Sequence, residues 1–379
     1  MKTLTYGMVG GGPGSLIGDV HRKAIRLDRT AQLVAACFSR TDVKNRAMAE
    51  QLGLDPQRCY ADYETMARAE ASRPDGIDFV VVATPNVSHY VISKAFLEAG
   101  IHVACDKPLC FDVEEAEKLA ALAKAKERLF LVTYTYMGYV CAKHIRAAIK
   151  AGQIGKIRTV MAEYPQAWLA HEGDWGGKQG KWRCDPKQSG PVNCLGDIGT
   201  HIENAVSWLT GLRIRRVLAK LDVVVPGRIL DDNDFVLLEY EGGATGCYWS
   251  SQFALGHDNG LAVRIYGEKG SIFWRQEEAE RIILTGEDGK RREIHRGDRE
   301  IAPEAARYDR LPAGHPEGVI AAMANLYRSF AACIQAKRDG RFEAEMIDFP
   351  TVEDGAAGIR YIHACLRSNA GGNVWADMA

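Results

Sequence analysis

The sequence predicts an α/β region with a doubly wound parallel sheet, followed by an α+β region with a large, mostly antiparallel open sheet and helices on one face. Three observations support this prediction. Short apolar runs alternate with helix-competent stretches up to about residue 135, which is typical of βαβ units. A glycine-rich loop follows the first apolar run. Beyond about residue 210, apolar runs are separated by short turns, which is typical of antiparallel strands.

Composition sets the domain number and excludes some partners. The 379 residues exceed the usual size of one hydrophobic core, so we expect two domains, at residues 1–135 and 136–379. The first is expected to bind a dinucleotide, and the second to bind substrate and to form subunit contacts. Lys and Arg number 48 against 49 Asp and Glu, so the net charge of −1 predicts neither nucleic acid nor an anionic membrane as a partner.

Two further features concern the cellular compartment. No apolar run is as long as a membrane span, and glycines interrupt the N-terminus before a secretory segment is formed, so a cytoplasmic location is expected. The ten cysteines form no C-x-x-C pair and no Cys/His zinc spacing. We therefore expect reduced thiols and no bound metal.

The glycine-rich loop is the first local signal for function. Residues 4–9 form an apolar run that breaks into G-G-G-P-G and leads into a helix-competent stretch. Glycines in such a loop let a pyrophosphate approach backbone N–H groups at a helix N-terminus. Gly10 and Gly12 supply two positions of G-x-G-x-x-G, whereas Ser15 stands at the third and Gly18 arrives late. An ordinary structural turn is the alternative. The expected cofactor contacts here are Gly10, Gly12, Pro13, Gly14 and Ser15.

Strands and helices then alternate. Strands are predicted at 32–38, 77–83, 101–105 and 129–133, and helices at 42–53, 89–99 and 114–126. The β-branched run at 77–83 is typical of a central parallel strand buried on both faces. Ligands bind beyond the carboxyl ends of such strands. The expected cofactor contacts therefore extend to Ser39, Arg40, Thr84, Pro85, Asn86, His89, Asp106 and Lys107.

The residues after the second strand bear on the choice between NAD and NADP. An acidic residue there accepts hydrogen bonds from the ribose hydroxyls, whereas a small polar residue with a nearby arginine leaves room for a 2′-phosphate. Ser39 and Arg40 favour NADP, but Asp42 is an acid displaced from the usual place. Arg40 could equally stack on the adenine or be solvated. These residues leave both cofactors open.

Three motifs in order carry a resemblance to a known family. Asp106-Lys107-Pro108, in a chain with the glycine loop and Thr84-Pro85-Asn86, resembles the Gfo/Idh/MocA family, the relatives of glucose–fructose oxidoreductase and inositol dehydrogenase. The run 196–201 is similar to that family's G-x-x-D-x-x-x-H motif, and 353–355 adds to the match. The resemblance covers nearly the whole chain. It implies a Rossmann domain and an NAD(P)-dependent enzyme that oxidises a ring hydroxyl of a sugar, glycoside, anhydrosugar or inositol.

The resemblance has two further implications. Family members that oxidise sugars for catabolism imply NAD rather than NADP as the working cofactor. The outer face of the C-terminal sheet often makes subunit contacts in the family, which implies a homo-oligomer, a dimer or tetramer. Two other functions remain compatible with the sequence: a glycosidase that uses transient ring oxidation by tightly held NAD, and a noncatalytic nucleotide-binding sensor or scaffold.

Lys107, Asp197 and His201 are the expected catalytic residues. Oxidation of an alcohol removes the hydroxyl proton as hydride leaves, so it needs a base and a cation or donor for the developing charge. Asp197 and His201 are four residues apart, which places them on one face of a helix. A histidine side chain ordinarily exchanges its proton near neutral pH, so His201 is suited to accept or return one, and the Lys107 ammonium can hydrogen-bond the reacting oxygen. A helix-start acid and a buried structural histidine are the alternative.

Aromatic and polar residues between the motifs are expected to contact the substrate. Tyr134 and Tyr136 lie where the chain crosses into the second domain, and they either face a sugar ring or fill the domain junction. The long irregular segment 165–191 contains Trp168, Trp175, Lys178, Trp182 and Arg183, and packing is the alternative role of its tryptophans. The expected substrate contacts are Lys107, Tyr134, Tyr136, Trp182, Arg183, Asn193, Asp197 and His201.

The remaining elements follow from local pattern. Helices are predicted at 139–151, 197–209, 316–337 and 352–368, and strands at 157–164, 217–225, 234–240, 244–253, 262–266 and 271–275.

Overall fold

The computed structural model describes residues 3–174 and 177–378, and the chain divides into two compact units. The first unit comprises Met1–Cys110, Glu114–Gly138 and Val319–Ala356. The second comprises Phe111–Val113, Tyr139–Gly318 and Ala357–Ala379. The assignment of dinucleotide binding to residues 1–135, and of substrate binding and subunit contacts to residues 136–379, stays a prediction.

A five-stranded parallel sheet forms the centre of the first unit. Its strands are β1 (Leu4–Gly10), β2 (Ala31–Cys37), β3 (Phe79–Ala83), β4 (His102–Cys105) and β5 (Phe130–Val132). They lie in the order β2-β1-β3-β4-β5, all parallel, and every residue of β3 is buried. The α/β prediction is therefore confirmed. The strand order reverses between β1 and β3, the position at which doubly wound sheets bind ligands.

Helices flank this sheet, and one of them comes from far along the chain. The helices are α1 (Leu16–Leu27), α2 (Asp42–Gln51), α3 (Tyr63–Ser72), α4 (His89–Glu98), α5 (Val113–Ala125) and α11 (Gly318–Arg338). On α11, the Phe330 ring meets the Phe79 ring edge-on with 5.4 Å between centroids, and Tyr327 lies 6.1 Å from Phe79. Helical periodicity predicts this helix at residues 316–337, within the expected second domain, but it does not say which sheet the helix covers.

The second unit is built on a nine-stranded sheet. Its strands are β6 (Ile157–Pro165), β7 (Ile214–Asp222), β8 (Asn233–Tyr240), β9 (Thr245–Ser251), β10 (Ala262–Gly267), β11 (Gly270–Arg275), β12 (Arg281–Gly286), β13 (Arg291–His295) and β14 (Ala376–Asp377). The order is β13-β12-β11-β10-β6-β9-β8-β7-β14, and only β6 and β9 pair in parallel among these strands. The prediction of a large, mostly antiparallel sheet is confirmed. Strands β12, β13 and β14 were not predicted.

The two faces of this sheet differ. On one face, Val160, Ala162 and Tyr164 of β6 are buried. On the other, Met161, Phe235, Leu237 and Tyr266 are each more than 40% exposed. The remaining helices are α6 (Val140–Lys150), α7 (Lys178–Arg183), α8 (Pro186–Ser189), α9 (Thr200–Thr210), α10 (Pro303–Ala306) and α12 (Val352–Ala370).

Two local differences from the sequence prediction bear on the site. The segment 165–191, predicted to be irregular, contains the short helices α7 and α8. The helix predicted at 197–209 begins as a π-helical turn, Leu195–Gly199, before continuing as α9. Within the described parts of the chain, no helix has the length and apolar character needed to cross a membrane.

Candidate active site

The glycine loop joins β1 to α1 at the carboxyl end of the parallel sheet. Gly10 has φ +82°, and a Cβ there would lie 2.3 Å from the Ala83 carbonyl oxygen, so the position requires glycine. A Cβ on Gly18 would lie 2.3 Å from the Gly11 Cα. The late glycine of the motif therefore lets the first turn of α1 pack closely on the loop. Ser15 caps α1 by accepting a hydrogen bond from the Gly18 N–H at 3.2 Å.

The chain after β2 places an exposed arginine, Arg40, just ahead of helix α2. Asp42 is bound by the Arg46 guanidinium one turn further along α2, with both carboxylate oxygens at 2.9 Å from Nε. The Ser39 hydroxyl accepts from the Thr41 N–H at 3.2 Å. Arg40 is exposed, and among residues 3–174 and 177–378 no carboxylate forms an ion pair with it. Asp42 is thus already neutralised, whereas the charge of Arg40 is available.

His89 links the loops after β3 and β4. Its Nε2 lies 2.9 Å from the Thr84 carbonyl oxygen and its Nδ1 lies 2.8 Å from the Pro108 carbonyl oxygen. The side chain is fully buried, and burial lowers the pKa of His89. A neutral ring donates one N–H, so one carbonyl receives a hydrogen bond at a time. With both nitrogens engaged, this geometry favours a role in holding the two loops over the direct cofactor contact predicted from sequence.

The other cofactor candidates of this loop differ in exposure. Pro85 is exposed, Thr84 is half-buried and Asn86 is buried. The Thr84 hydroxyl accepts a hydrogen bond from Ser88 at 2.8 Å. In the glycine loop, Pro13 and Gly14 are exposed and Gly12 is half-buried.

Asp106, at the end of β4, belongs to a buried polar chain. It accepts hydrogen bonds from His21 Nε2 at 3.0 Å and from the Thr133 hydroxyl at 2.7 Å. The other ring nitrogen of His21 lies 2.6 Å from the Tyr327 hydroxyl. Burial by itself raises the pKa of Asp106, but the His21 ring and the Thr133 hydroxyl outweigh it and hold that pKa below its usual range. Asp106 is therefore a carboxylate with a fixed direction, next to Lys107.

The remaining candidates of the first unit, Lys107, Tyr134 and Tyr136, differ in exposure. Lys107 is half-buried and is followed by a cis peptide bond to Pro108. Tyr134 is 1% exposed, and Tyr136 is half-buried in the turn Thr135–Gly138. Tyr136 thus presents more surface to a ligand than Tyr134 does.

In the second unit, Asp197 lies on the π-helical turn and has partners from two other segments. Its Oδ2 accepts a hydrogen bond from Gln252 Nε2 at 3.1 Å, directly after β9. Its Oδ1 forms an ion pair with Arg183 on α7, 3.3 Å from the guanidinium Nε. The structure therefore brings two residues predicted from sequence, Asp197 and Arg183, together. Gln252 was not predicted, and it belongs to no sequence motif.

Tryptophans surround the Arg183 guanidinium. Its central carbon lies 4.4 Å from the centre of the Trp182 ring and 5.7 Å from that of Trp168. Trp168 is 37% exposed and Trp182 is half-buried. Trp175 lies outside the described residues, as does the side chain of Lys178. An indole surface beside a fixed cation suits a ligand with an apolar ring face and polar substituents.

His201 follows Asp197 on the same helical segment. Its side chain is 8% exposed and meets the Tyr164 ring edge-on, with 5.9 Å between centroids. The Tyr164 hydroxyl in turn donates to Asn259. Asn193 is buried, and its amide nitrogen donates to Gln252 Oε1 at 2.6 Å. Asn193 therefore reaches Asp197 through Gln252.

A pair of fully buried carboxyl groups lies beside this turn. Asp231 accepts from the Asn193 and Leu195 N–H groups, each at 2.7 Å, and Asp234 accepts from Ser250 at 2.9 Å. Burial raises the pKa of both, and that of Asp234 is raised further by Asp231. Cys194 is close enough to form a three-ligand group with them. The backbone contacts of Asp231 and the raised pKa of Asp234 fit a shared proton.

Family models match both parts of the chain. A model described as the oxidoreductase family, NAD-binding Rossmann fold, matches residues 4–134, and one described as the GFO/IDH/MocA C-terminal domain matches residues 142–273. Together they span more than half of the sequence. The chain belongs to the GFO/IDH/MocA oxidoreductase family. The family predicted from the three motifs is confirmed.

This GFO/IDH/MocA oxidoreductase is similar to several known proteins. It is 38% identical over 385 residues to an uncharacterized oxidoreductase, YfiI, of Bacillus subtilis (strain 168), covering 99% of this chain and 97% of that protein. A crystal structure of an inositol dehydrogenase homolog from Azotobacter vinelandii, complexed with NADH and myo-inositol, has a TM-score of 0.92 and 38% identity, covering 99% of this chain and 98% of the other. Levoglucosan dehydrogenase of Pseudarthrobacter phenanthrenivorans is 26% identical over 309 residues, covering 75% and 77%.

Proposed function

We propose that this GFO/IDH/MocA oxidoreductase is an NAD(P)-dependent dehydrogenase that transfers hydride between a ring hydroxyl of a cyclic polyol and the nicotinamide. The substrate class is a sugar, glycoside, anhydrosugar or inositol. One observation supports it most: Asp197, one turn before His201, is an ion-paired and hydrogen-bonded carboxylate beside Trp182 and Arg183. The inositol and levoglucosan named for two relatives belong to the same class of cyclic polyol.

The glycine loop fits a dinucleotide. A Cβ at Gly10 or Gly12 would fall 2.3 Å from the Ala83 oxygen or 2.8 Å from the Phe38 oxygen, so the chain leaves no side chain where a pyrophosphate approaches. The loop leads into the N-terminus of the twelve-residue helix α1, whose partial positive charge favours phosphate. We propose that the dinucleotide contacts Gly10, Gly12, Pro13, Gly14, Ser15 and Thr84. Asp106, which His21 holds in place, is proposed as a further cofactor contact. The nicotinamide, when bound, accepts or returns the hydride.

The chain's own residues handle the proton. In oxidation, His201 Nε2 or Nδ1 takes the hydroxyl proton, and Lys107 stabilises the charge that develops on the oxygen. The Asp197 carboxylate favours the protonated form of the His201 imidazole and accepts hydrogen bonds from ring hydroxyls. Edge contact with Tyr164 limits how the His201 ring turns. In reduction, the same groups return the proton in the opposite order.

Residues near Asp197 are proposed to set the substrate class. Trp182 and Trp168 offer apolar faces to the C–H side of a ring, and Arg183 offers donors to ring hydroxyls. Tyr136 adds a half-buried aromatic surface in the first unit. Inositols and sugars both offer an apolar ring face and hydroxyl groups to these side chains, and an activity assay identifies the substrate within the class.

NAD is proposed as the working cofactor, and Arg40 is proposed to contact the 2′-phosphate when NADP binds in its place. The exposed Arg40 guanidinium has no carboxylate partner among the described residues and can meet a 2′-phosphate. Arg40→Ala should lower affinity for NADP more than for NAD, measured by fluorescence titration with the reduced cofactors. Equal losses for both would remove Arg40 from the adenosine site, and tighter binding of NADPH than NADH by the wild type would overturn the preference for NAD.

The direct test is an absorbance screen for reduced cofactor, with NAD and NADP against inositols, aldoses, anhydrosugars and glycosides. His201→Ala and Lys107→Ala should lose ~10²–10⁴-fold in turnover while they keep dinucleotide binding. A wild type that binds NADH but reduces NAD with no cyclic polyol would refute the proposal. Near wild-type turnover of His201→Ala would mean that another residue accepts the hydroxyl proton.

A homo-oligomer is proposed through the exposed face of the nine-stranded sheet. Met161, Phe235 and Leu237 are apolar, and each is more than 40% exposed on that face. Replacing Phe235 and Leu237 together with lysine should lower the mass measured by light scattering. An unchanged mass would place subunit contacts elsewhere.

A further inference from the structure

We infer that Gln252 is a positioning residue for Asp197. Its amide holds the Oδ2 oxygen of the carboxylate, so that the carboxylate meets the substrate in a fixed orientation. This inference rests on the proposed polyol dehydrogenase function. Gln252 lies directly after β9, a strand that pairs with both β6 and β8. Its side chain is fully buried, so its amide is part of the protein interior and not a solvated group.

The Gln252 backbone is fixed from both sides. Its N–H donates to the Asp232 carbonyl at 2.9 Å, and its own carbonyl accepts from the Leu169 N–H at 3.1 Å. The Leu169 contact ties it to the segment that also carries Trp168. The Cα of Gln252 therefore has little freedom, and its side chain reaches Asp197 from a rigid origin.

Two contacts determine which way the Gln252 amide points. An ionised Asp197 carboxylate only accepts hydrogen bonds, so the Gln252 NH₂ group must face it. The Gln252 oxygen then faces Asn193, whose amide nitrogen donates to it at 2.6 Å. If the Gln252 amide were reversed, its oxygen would face the carboxylate oxygen at 3.1 Å, which is repulsive. The hydrogen bonds that run from Asn193 to Gln252 and from Gln252 to Asp197 thus have one direction.

Asp231 anchors the far end of this chain. Its two carboxylate oxygens accept from the Asn193 and Leu195 N–H groups, and its carbonyl accepts from the Cys194 N–H at 3.2 Å. Three successive N–H groups at the start of the π-helical turn are therefore bound to one residue. The position of Asn193, and through it of Gln252, follows from this contact.

The two oxygens of Asp197 are consequently held by different partners. Oδ2 is bound by the neutral Gln252 amide, and Oδ1 pairs with the charged Arg183. Fixing both oxygens sets the plane of the carboxylate. A carboxylate in a fixed plane orients a neighbouring imidazole and a substrate hydroxyl better than one that rotates freely.

Titratable groups around Asp197 also affect its proton affinity. Arg183 on α7 forms an ion pair with Asp197, and His201 lies four residues further along the chain. Asp231, Asp234 and Cys194 form a group beside the π-helical turn. The Gln252 amide stabilises the ionised carboxylate, so its loss should raise the pH at which Asp197 takes up a proton. Loss of packing alone would not move that pH.

The test uses Gln252→Leu and Gln252→Glu in the full-length enzyme, with Gln335→Leu as a matched control. Gln335 on α11 also donates through its side-chain amide to a carboxylate, Asp339 at 2.9 Å, but it belongs to the first unit, whereas Asp197 belongs to the second. Turnover, KM for the best polyol and NADH affinity are measured across pH. The Glu variant keeps the shape of glutamine, so it answers the question if the Leu variant folds poorly.

We expect Gln252→Leu to lower kcat/KM for the polyol roughly ten- to hundredfold, with NADH affinity unchanged. The acidic limb of the pH profile should move to higher pH by about one unit, and further in Gln252→Glu, where two carboxylates face each other. The control should change kcat/KM by less than about threefold with no shift of the limb. An active wild type with unshifted limbs in both Gln252 variants would overturn the positioning role and leave the dehydrogenase function standing. A wild type inactive on every polyol would overturn both.

Discussion

Asp234→Asn gives a pH test of the buried carboxyl pair in the second unit. Asp234 and Asp231 are fully buried, and burial together with the neighbouring Asp231 raises the pKa of Asp234 well above its usual range. Ser250 donates to one oxygen of Asp234 at 2.9 Å. Asparagine has the same shape, can accept from Ser250 through its oxygen and can donate to Asp231 through its nitrogen. The variant therefore imitates the protonated form of Asp234.

The size and sign of the effect follow from proton counting. Above the unfolded pKa of about 3.9, the unfolded chain has lost the Asp234 proton while the folded protein keeps it. The folded state then binds one proton more, so the free energy of unfolding decreases as pH rises, until the folded pKa is passed. The slope from one such group is about 1.4 kcal/mol per pH unit. Asparagine carries no titrating proton, so Asp234→Asn should remove this contribution.

Urea unfolding followed by tryptophan fluorescence, at several values between about pH 5 and pH 7, measures the slope directly. Over that range the free energy of unfolding of Asp234→Asn should fall less steeply with pH than that of the wild type, by up to about 1 kcal/mol per pH unit for as long as Asp234 keeps its proton. Asp185→Asn is the control, because hydrogen bonds from Gln188 and the Lys187 N–H lower the pKa of this carboxylate at the N-cap of α8. In Asp185→Asn the free energy of unfolding should decrease with rising pH as steeply as it does in the wild type. An unchanged slope in Asp234→Asn would show that Asp234 is ionised in the folded protein.

Three further substitutions test the first unit. Phe330→Ala removes a fully buried ring from the core and should lower the free energy of unfolding by about 3–5 kcal/mol; a loss below about 1 kcal/mol in urea unfolding would contradict the packing. Tyr327→Phe deletes the hydroxyl at 2.6 Å from His21 and should cost about 1 kcal/mol, whereas equal stability by the same measurement would show that the contact contributes nothing. Gly18→Ala places a Cβ 2.3 Å from the Gly11 Cα and should weaken NADH binding in a fluorescence titration; unchanged affinity would mean that the loop shape does not matter.

Local patterns predicted the elements that depend on local physics. The run at 77–83 indicated a strand buried on both faces, and β3 is buried at every residue. The glycine loop was predicted between β1 and α1, and the structure shows why glycine stands at 10 and 18. The i,i+4 spacing predicted that Asp197 and His201 lie on one helical segment, although its first turn is π-helical.

Contacts between distant residues could not be predicted in this way. Gln252 meets Asp197 across 55 positions because β9 ends beside the π-helical turn, and no periodicity in either segment encodes that encounter. His21 was passed over because a histidine on an amphipathic helix gives no sign that its two nitrogens will bind Asp106 and Tyr327. The cofactor contact of His89 stays a prediction, but sequence spacing did not indicate that its buried ring lies between two carbonyl groups.

The return of α11 to the first unit constrains the order in which a nascent chain can fold. A polypeptide that has left the ribosome only as far as Gly138 carries all five strands of the parallel sheet but not the helix whose Tyr327 and Phe330 contact Phe79. In that shorter chain His21 could bind Asp106, but the Tyr327 hydroxyl that contacts the other ring nitrogen of His21 would not yet exist. The hydrophobic core around the N-terminal sheet is therefore completed only when the segment Val319–Ala356 has been synthesised, after most of the second unit has emerged. In this protein the first part of the chain to be made is not the first that can be finished.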